Sequence, residues 1–278
     1  MAAPGGAEVP APKGGTKAPA VMAAGSSSRT GKSAKEKKSR PPARKLRVMC
    51  LHGFRTSARI MENQVEQAQW IPLLDDIVDF VMCRSAGLHG RTFPATGKSD
   101  VEKKFEAPFF EWYRANHDYT EIYGLEESIS QITAFIKSRG PFDGLMGFSQ
   151  GAVLVGALAG LHEKGLTFRD LDTFRFVVLI GGCKSKALFF KPAYFDPITI
   201  SSLHFIGEKD FMKEGGELLV QAFTDPAVIH HPHGHLIPRL GENEAAACRA
   251  FFQKNFDLKY PVAEGTRPLE PHGKKTAR

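Results

Sequence analysis

The chain has 278 residues, 42% of them hydrophobic and 21 of them Phe, enough to fill a sizeable core in one large domain or two small ones. Its net charge of +7 would suggest a nucleic-acid or membrane partner, but residues 1–45 hold ten Lys/Arg against Glu8 and Glu36, so that segment carries +8 and residues 46–278 carry −1. The charge therefore gives no reason to read the folded part as a nucleic-acid enzyme.

Residues 1–45 are rich in Ala, Gly, Pro, Ser and Lys and lack Phe, Trp, Tyr, Leu and Ile. Such a segment buries too little apolar surface to offset the entropy of ordering, so a disordered basic tail is expected. An organelle transit peptide and a nuclear-import patch at "KEKKSRPPARK" are the competing readings of the same residues, and salt-sensitive nucleic-acid binding through the tail is a further one. No apolar run reaches the roughly 18 to 20 residues of a membrane span, and no secretory leader is visible, so a cytoplasmic protein without a membrane span is expected, with nuclear or organellar targeting as the alternatives. Cys50, Cys83, Cys183 and Cys248 stand far apart without a CxxC pair and read as reduced thiols.

The pattern changes at residue 46, where "LRVMCL" has the form of a strand buried on both faces. "HGFRTS" then supplies loop residues, and "ARIMENQVEQAQW" (58–70) reads as a helix with Ile60, Gln64 and Gln67 on one face. "IVDFVMC" (77–83) is a second strand, followed by a long aperiodic stretch over 84–118 of the kind that forms lids or binding loops. An apolar stripe at Ile122, Leu125, Ile129, Ile132, Phe135 and Ile136 predicts a helix over 120–140.

Strands at 142–148, 174–182, 201–207 and 227–232 and helices at 150–165, 214–223 and 242–256 complete the pattern. Strands alternating with helices imply an α/β fold, a mostly parallel sheet with helices on both faces. One domain over 46–256 is expected, with a polar C-terminal tail over 257–278.

At the junction of the strand 142–148 and the helix that follows lies "GFSQG", a GxSxG pattern that is weak alone but sits in the strand-to-helix context of a nucleophile elbow. Ser149 is therefore a candidate nucleophile, with an ordinary helix N-cap as the competing reading. A serine hydroxyl needs a base and a carboxylate to orient it. Asp210 after the strand 201–207 and His235 after the strand 227–232 follow in the order Ser, Asp, His, and both fall where ligands bind in open α/β folds. Glu208 rivals Asp210.

His230, His231, His233 and His235 crowd one loop, but with no carboxylate or Cys beside them no metal is assigned. His230 and His231 close a strand and are expected to face opposite sides. Backbone N–H groups of Gln150 and Phe54 are the candidate oxyanion donors, and His52 reads as a structural hydrogen-bonding residue.

With "LHGF", "GFSQGA", "GEKD" and "HGHLIP" in order, residues 46–256 resemble the FSH family of serine hydrolases. The resemblance implies an α/β-hydrolase fold, a triad of Ser149, Asp210 and His235, oxyanion donors at Phe54 and Gln150, and carboxylesterase activity on small-molecule acyl esters without metal or organic cofactor. It also implies that "GKSDVEKKFEAPFFEWY" (97–113) contributes to an acyl pocket, with Phe109, Phe110 and Trp112 as candidate lining residues. Two departures stand out: "HPHGH" places His233 where relatives commonly carry Gly, and "CRSAGLHGRTFP" replaces an Asp-Ala-Pro-like turn. An acyl-thioesterase working by the same steps and a catalytically silent ligand-binding module are the alternatives. Oligomeric state is not legible.

Overall fold

Residues 44–84, 103–171 and 174–261 are described by the computed structural model. The expected disordered tail, apart from residues 44 and 45, lies outside them, as do 85–102 of the aperiodic stretch and 262–278 of the C-terminal tail.

The runs read as buried strands form one sheet. β1 (Leu46–Leu51), β2 (Val78–Met82), β5 (Gly144–Phe148), β6 (Phe176–Ile180), β7 (Ser201–Gly207) and β8 (Pro226–His231) lie in the order β2-β1-β5-β6-β7-β8, and every neighbouring pair is parallel. A parallel sheet covered on both faces needs side chains that are apolar in both directions. In β1, Leu46, Val48 and Cys50 join one core cluster while Met49 and Leu51 join the other, and β6 divides the same way, Phe176, Val178 and Ile180 against Val177 and Leu179.

Helices α1 (Ala58–Gln67), α2 (Trp70–Leu74) and α6 (Glu242–Lys259) cover one face, packing Met61, Trp70 and Phe252. On the other lie α3 (Leu125–Arg139), α4 (Gln150–Glu163) and a 3-10 helix, Leu188–Tyr194. α5 (Lys213–Val220) adds Leu219 to that second cluster. α4 is buried from Gly151 to Leu161, and its small residues let neighbours come close: a Cβ at Gly160 would lie 2.2 Å from the carbonyl oxygen of Ala193.

Three expectations change. The helix over 120–140 starts only at Leu125, because Gly124 adopts a left-handed φ of 76° and breaks the stripe. Ile122 instead belongs to β4 (Ile122–Tyr123), paired antiparallel with β3 (Arg114–Ala115) inside the stretch read as aperiodic. In α1 the buried face is Ile60, Met61 and Val65, and Gln67 is exposed. That helix also ends before Trp70, since Gln69, at φ 63°, turns the backbone into α2.

Sheet order reverses at β1, which leads outward to β2 on one side and pairs with β5 on the other. Loops leaving the carboxyl ends of β1 and β5 thus flank a crevice at the switch point, the location at which open α/β sheets bind ligands. Among the described residues no helix is long and apolar enough to cross a membrane.

Gly160 gives a test of this packing. Ala in a helix interior is favoured over Gly by about 1 kcal/mol, but a Cβ 2.2 Å from backbone oxygen cannot be accommodated by rotating a side chain. Overpacking costs about 1 to 3 kcal/mol, so Gly160→Ala is expected to lower the urea midpoint with an unchanged m-value. A raised midpoint would contradict the close contact between α4 and the 3-10 helix.

Candidate active site

Ser149 sits on a sharp turn between β5 and α4 with φ 54° and ψ −121°, a conformation that costs about 1 to 3 kcal/mol in a residue bearing a side chain. The flanking residues show why the backbone tolerates it. A Cβ at Gly147 would lie 2.4 Å from the Gly151 backbone, and one at Gly151 would lie 2.3 Å from the Leu51 carbonyl oxygen. Both positions therefore require glycine. The turn is held by Ser149 N–H donating to the Ile180 carbonyl at 2.9 Å. The Ser149 hydroxyl makes no capping bond to α4, so it is available to another partner.

That partner is His235. Its Nε2 lies 2.9 Å from Ser149 Oγ, and its Nδ1 lies 2.9 and 3.0 Å from the two carboxylate oxygens of Asp210. Asp210 is buried, and Oδ1 also accepts the Met212 N–H at 2.8 Å. A carboxylate at Nδ1 holds the proton there and leaves the Nε2 lone pair facing the serine. Glu208, the rival acid, is exposed and paired with Lys213 and His230.

Two rings clamp the His235 imidazole: Phe148 at 5.0 Å and Phe211 at 4.6 Å. Phe211, 82% exposed, has no counterpart in the sequence expectations; its position directly after Asp210 was the available signal. A Cβ on Gly181 would lie 3.0 Å from Asp210 Oδ2 and 3.1 Å from His235 Nδ1.

His230 is exposed and His231 buried, as their alternation on β8 requires. The His233 side chain is exposed, its ring lies 5.8 Å from that of His231, and its carbonyl accepts the Lys209 N–H. Among the described residues no group of three or more His, Cys, Asp or Glu is placed to hold a metal.

Both candidate oxyanion donors belong to peptide units with pinned carbonyls. The Ser149 carbonyl, in the same peptide as Gln150 N–H, accepts from Ala152 N at 2.9 Å and Val153 N at 3.0 Å. The Gly53 carbonyl, in the same peptide as Phe54 N–H, accepts from Thr56 Oγ1 at 2.7 Å and His52 Nδ1 at 2.9 Å. In a planar trans peptide the N–H points opposite to the C=O, so fixing each carbonyl fixes the direction of the donor. The two segments meet where a Cβ on Gly53 would lie 3.3 Å from Ser149 Cβ.

His52 is buried, and desolvation lowers its pKa to about 4, so it is uncharged at neutral pH. Trp112 departs from the expected pocket wall: it is wholly buried, with Nε1 donating to the His52 carbonyl at 2.8 Å and its ring stacked on His52 at 4.6 Å. The cause is the indole N–H, which needs an acceptor once buried and finds one beneath the site. Phe109 and Phe110 are half-buried, Phe110 bridging to Thr56 with its ring 6.4 Å from that of His52.

The Gln150 side group, which no sequence pattern singles out, accepts the Trp112 N–H and donates to the Tyr113 carbonyl, each at 2.8 Å. Neither a cavity of about 280 Å³ between Ile136 and Phe174 nor one of about 230 Å³ between Lys184 and Phe195 includes Ser149, His235 or Asp210.

His204, buried on β7, also has its pKa lowered by burial to about 4 from 6.5. A histidine whose folded-state pKa is depressed stabilises the fold fully above its unfolded pKa, and that contribution is lost as pH falls from 6.5 through 4. The loss is on the order of 3 kcal/mol for each of His52 and His204. Unfolding free energy is thus expected to fall as pH drops from about 6.5 to about 4, and less steeply in His204→Gln; equal slopes in denaturant titrations of parent and variant would contradict this.

A family model described as serine hydrolase (FSH1) matches residues 42–247. Esterase OVCA2 of Danio rerio is 31% identical over 214 residues, covering 69% of this chain and 90% of that protein. Esterase CG5412 of Drosophila melanogaster is 31% identical over 245 residues, covering 84% and 82%. Among solved structures, an esterase of Pyrobaculum calidifontis has a TM-score of 0.46 and 11% identity, covering 79% of this protein and 78% of that one. The six-stranded parallel sheet, the elbow at Ser149 and the matched family model together place the protein in the FSH1 family of serine hydrolases, with the α/β-hydrolase fold.

Proposed function

We propose that the protein is a carboxylesterase acting on small-molecule acyl esters through Ser149, His235 and Asp210. The observation that carries this is the continuous run of hydrogen bonds from Ser149 Oγ through His235 to Asp210, each link 2.9 to 3.0 Å. In the first half-reaction Ser149 Oγ attacks the ester carbonyl carbon while its proton passes to His235 Nε2. Asp210 balances the imidazolium that forms. Charge moves to the carbonyl oxygen, where the N–H groups of Gln150 and Phe54 act as donors in fixed directions, the form of stabilisation that contributes most to acyl transfer.

Collapse of the tetrahedral intermediate breaks the ester C–O bond. The alkoxide leaves with the proton from His235, and the acyl group stays on Ser149. Water then attacks the acyl carbonyl as His235 takes its proton, and a second collapse releases the carboxylic acid and returns the proton to Ser149. No step calls on a metal or an organic cofactor. Half-buried Phe109 and Phe110 suit an apolar acyl group.

The proposal predicts labelling of the parent protein by a fluorophosphonate probe at neutral pH and loss of labelling in Ser149→Ala. For an aryl ester, Asp210→Asn is expected to lower kcat by about 10⁴-fold by stabilising the wrong tautomer of His235, with little change in KM. Absence of probe labelling in a folded parent would overturn the reading; turnover retained in Asp210→Asn would remove Asp210 from it.

A further inference from the structure

Trp112 joins the two halves of the oxyanion site. Its backbone N–H donates to Gln150 Oε1 and its indole N–H to the His52 carbonyl, both at 2.8 Å. The first bond reaches the residue after Ser149, at the start of α4. The second reaches the residue before Gly53, at the end of β1. Gln150 returns a bond from Nε2 to the Tyr113 carbonyl, and Ser128 Oγ, on α3, donates to the Trp112 carbonyl. The residue is fully buried, and its backbone N–H, its carbonyl and its indole N–H are all engaged.

We infer that Trp112 is a positioning residue that sets the separation of the two backbone donors, Phe54 N–H and Gln150 N–H. The inference rests on the acyl-transfer reading above and names a residue that reading does not use. β1 and β5 are paired directly only as far as Leu51 and Gly147. Beyond that register the two segments touch at Gly151, against the Leu51 and His52 carbonyls, and at Gly53, beside Ser149, and the span from His52 to Gln150 through Trp112 adds a hydrogen-bonded cross-link between them. Preorganised donors are useful only while their spacing matches the developing oxyanion, and a displacement of about 1 Å costs about 10²-fold in rate.

The indole does more than fill space. It holds the His52 carbonyl while its ring stacks on the imidazole at 4.6 Å, and that imidazole donates from Nδ1 to the Gly53 carbonyl. Orientation passes in this way from Trp112 through His52 to the peptide that carries Phe54 N–H. On the other side, the pair of bonds between Gln150 and residues 112 and 113 holds the Gln150 amide back from the crevice and ties the first turn of α4 to the same anchor.

Trp112→Phe keeps an aromatic ring and removes the indole donor; Gln150→Met keeps length and removes both amide bonds to residues 112 and 113. For an aryl ester each is expected to lower kcat by about 10- to 100-fold with KM within about twofold. A boronic acid that mimics the tetrahedral intermediate is expected to weaken by the same factor, while a planar ester analogue keeps its affinity. Because both variants act on one span, the double variant should lose less than the product of the two. The inference is overturned if kcat and boronate affinity stay within about twofold of the parent while Tm falls, which is the behaviour of core packing alone. Should Trp112→Phe fail to fold, Gln150→Met decides by the same readouts. Failure of the parent protein to turn over ester or react with the probe would instead count against the underlying reading.

Discussion

The site depends on one close approach, the start of α4 against the end of β1. With a Gly151 Cβ position 2.3 Å from the Leu51 carbonyl oxygen, no side group fits between the two elements. That contact brings Ser149, the peptide of Gln150 and the Gly53–Phe54 loop to one point at the switch of strand order. The strained serine is one consequence, at about 1 to 3 kcal/mol. Burial of Val153, Leu154, Val155, Leu158 and Leu161 on the same helix offsets it several-fold, since each apolar residue of that size contributes about 1.5 to 3 kcal/mol.

The carboxylate of Asp210 follows a different logic. A buried charge is costly unless hydrogen-bonded and paired. Here the His235 imidazole and the Met212 N–H supply the partners, and the Met212 N–H is set by the turn that leaves β7. Glu208, two residues earlier, directs its charge to Lys213 and His230 at the surface, and its pKa is held down mainly by the Lys213 hydrogen bond. The two acids therefore differ in depth and in partner, which decides which of them meets the imidazole.

Much of this was legible because strand and helix periods differ. β1, β5 and β6 are short runs apolar on both faces, a pattern that fits a covered parallel sheet, and glycines bracketing Ser149 signalled the turn. Other features had no periodic trace. Ile122 falls in phase with the α3 stripe, so a two-residue strand is indistinguishable from a first helical turn without knowing that Gly124 stands at φ 76°. The 3-10 helix Leu188–Tyr194 contains Pro192, which reads as a breaker. Trp112 and the Gln150 amide were hardest, because aromatic content suggests a pocket lining while hydrogen-bonding demand is expressed only after burial.

Neutral His52 bears on the electrostatics of the loop that follows β1, the proposed oxyanion loop. Burial keeps its pKa at about 4, so at neutral pH it brings no net charge beside Ser149 and acts through one oriented N–H. The N-terminal end of α4 adds backbone dipoles at that point, whose partial charge is little screened because the helix is buried from Gly151 onward. Dipoles fixed by packing need no reorganisation as charge develops, whereas a solvated cation would have to shed water. A histidine that is uncharged at neutral pH, beside a tryptophan bonded at both ends of the span, therefore suits the proposed site, in which two peptide N–H groups act by their direction.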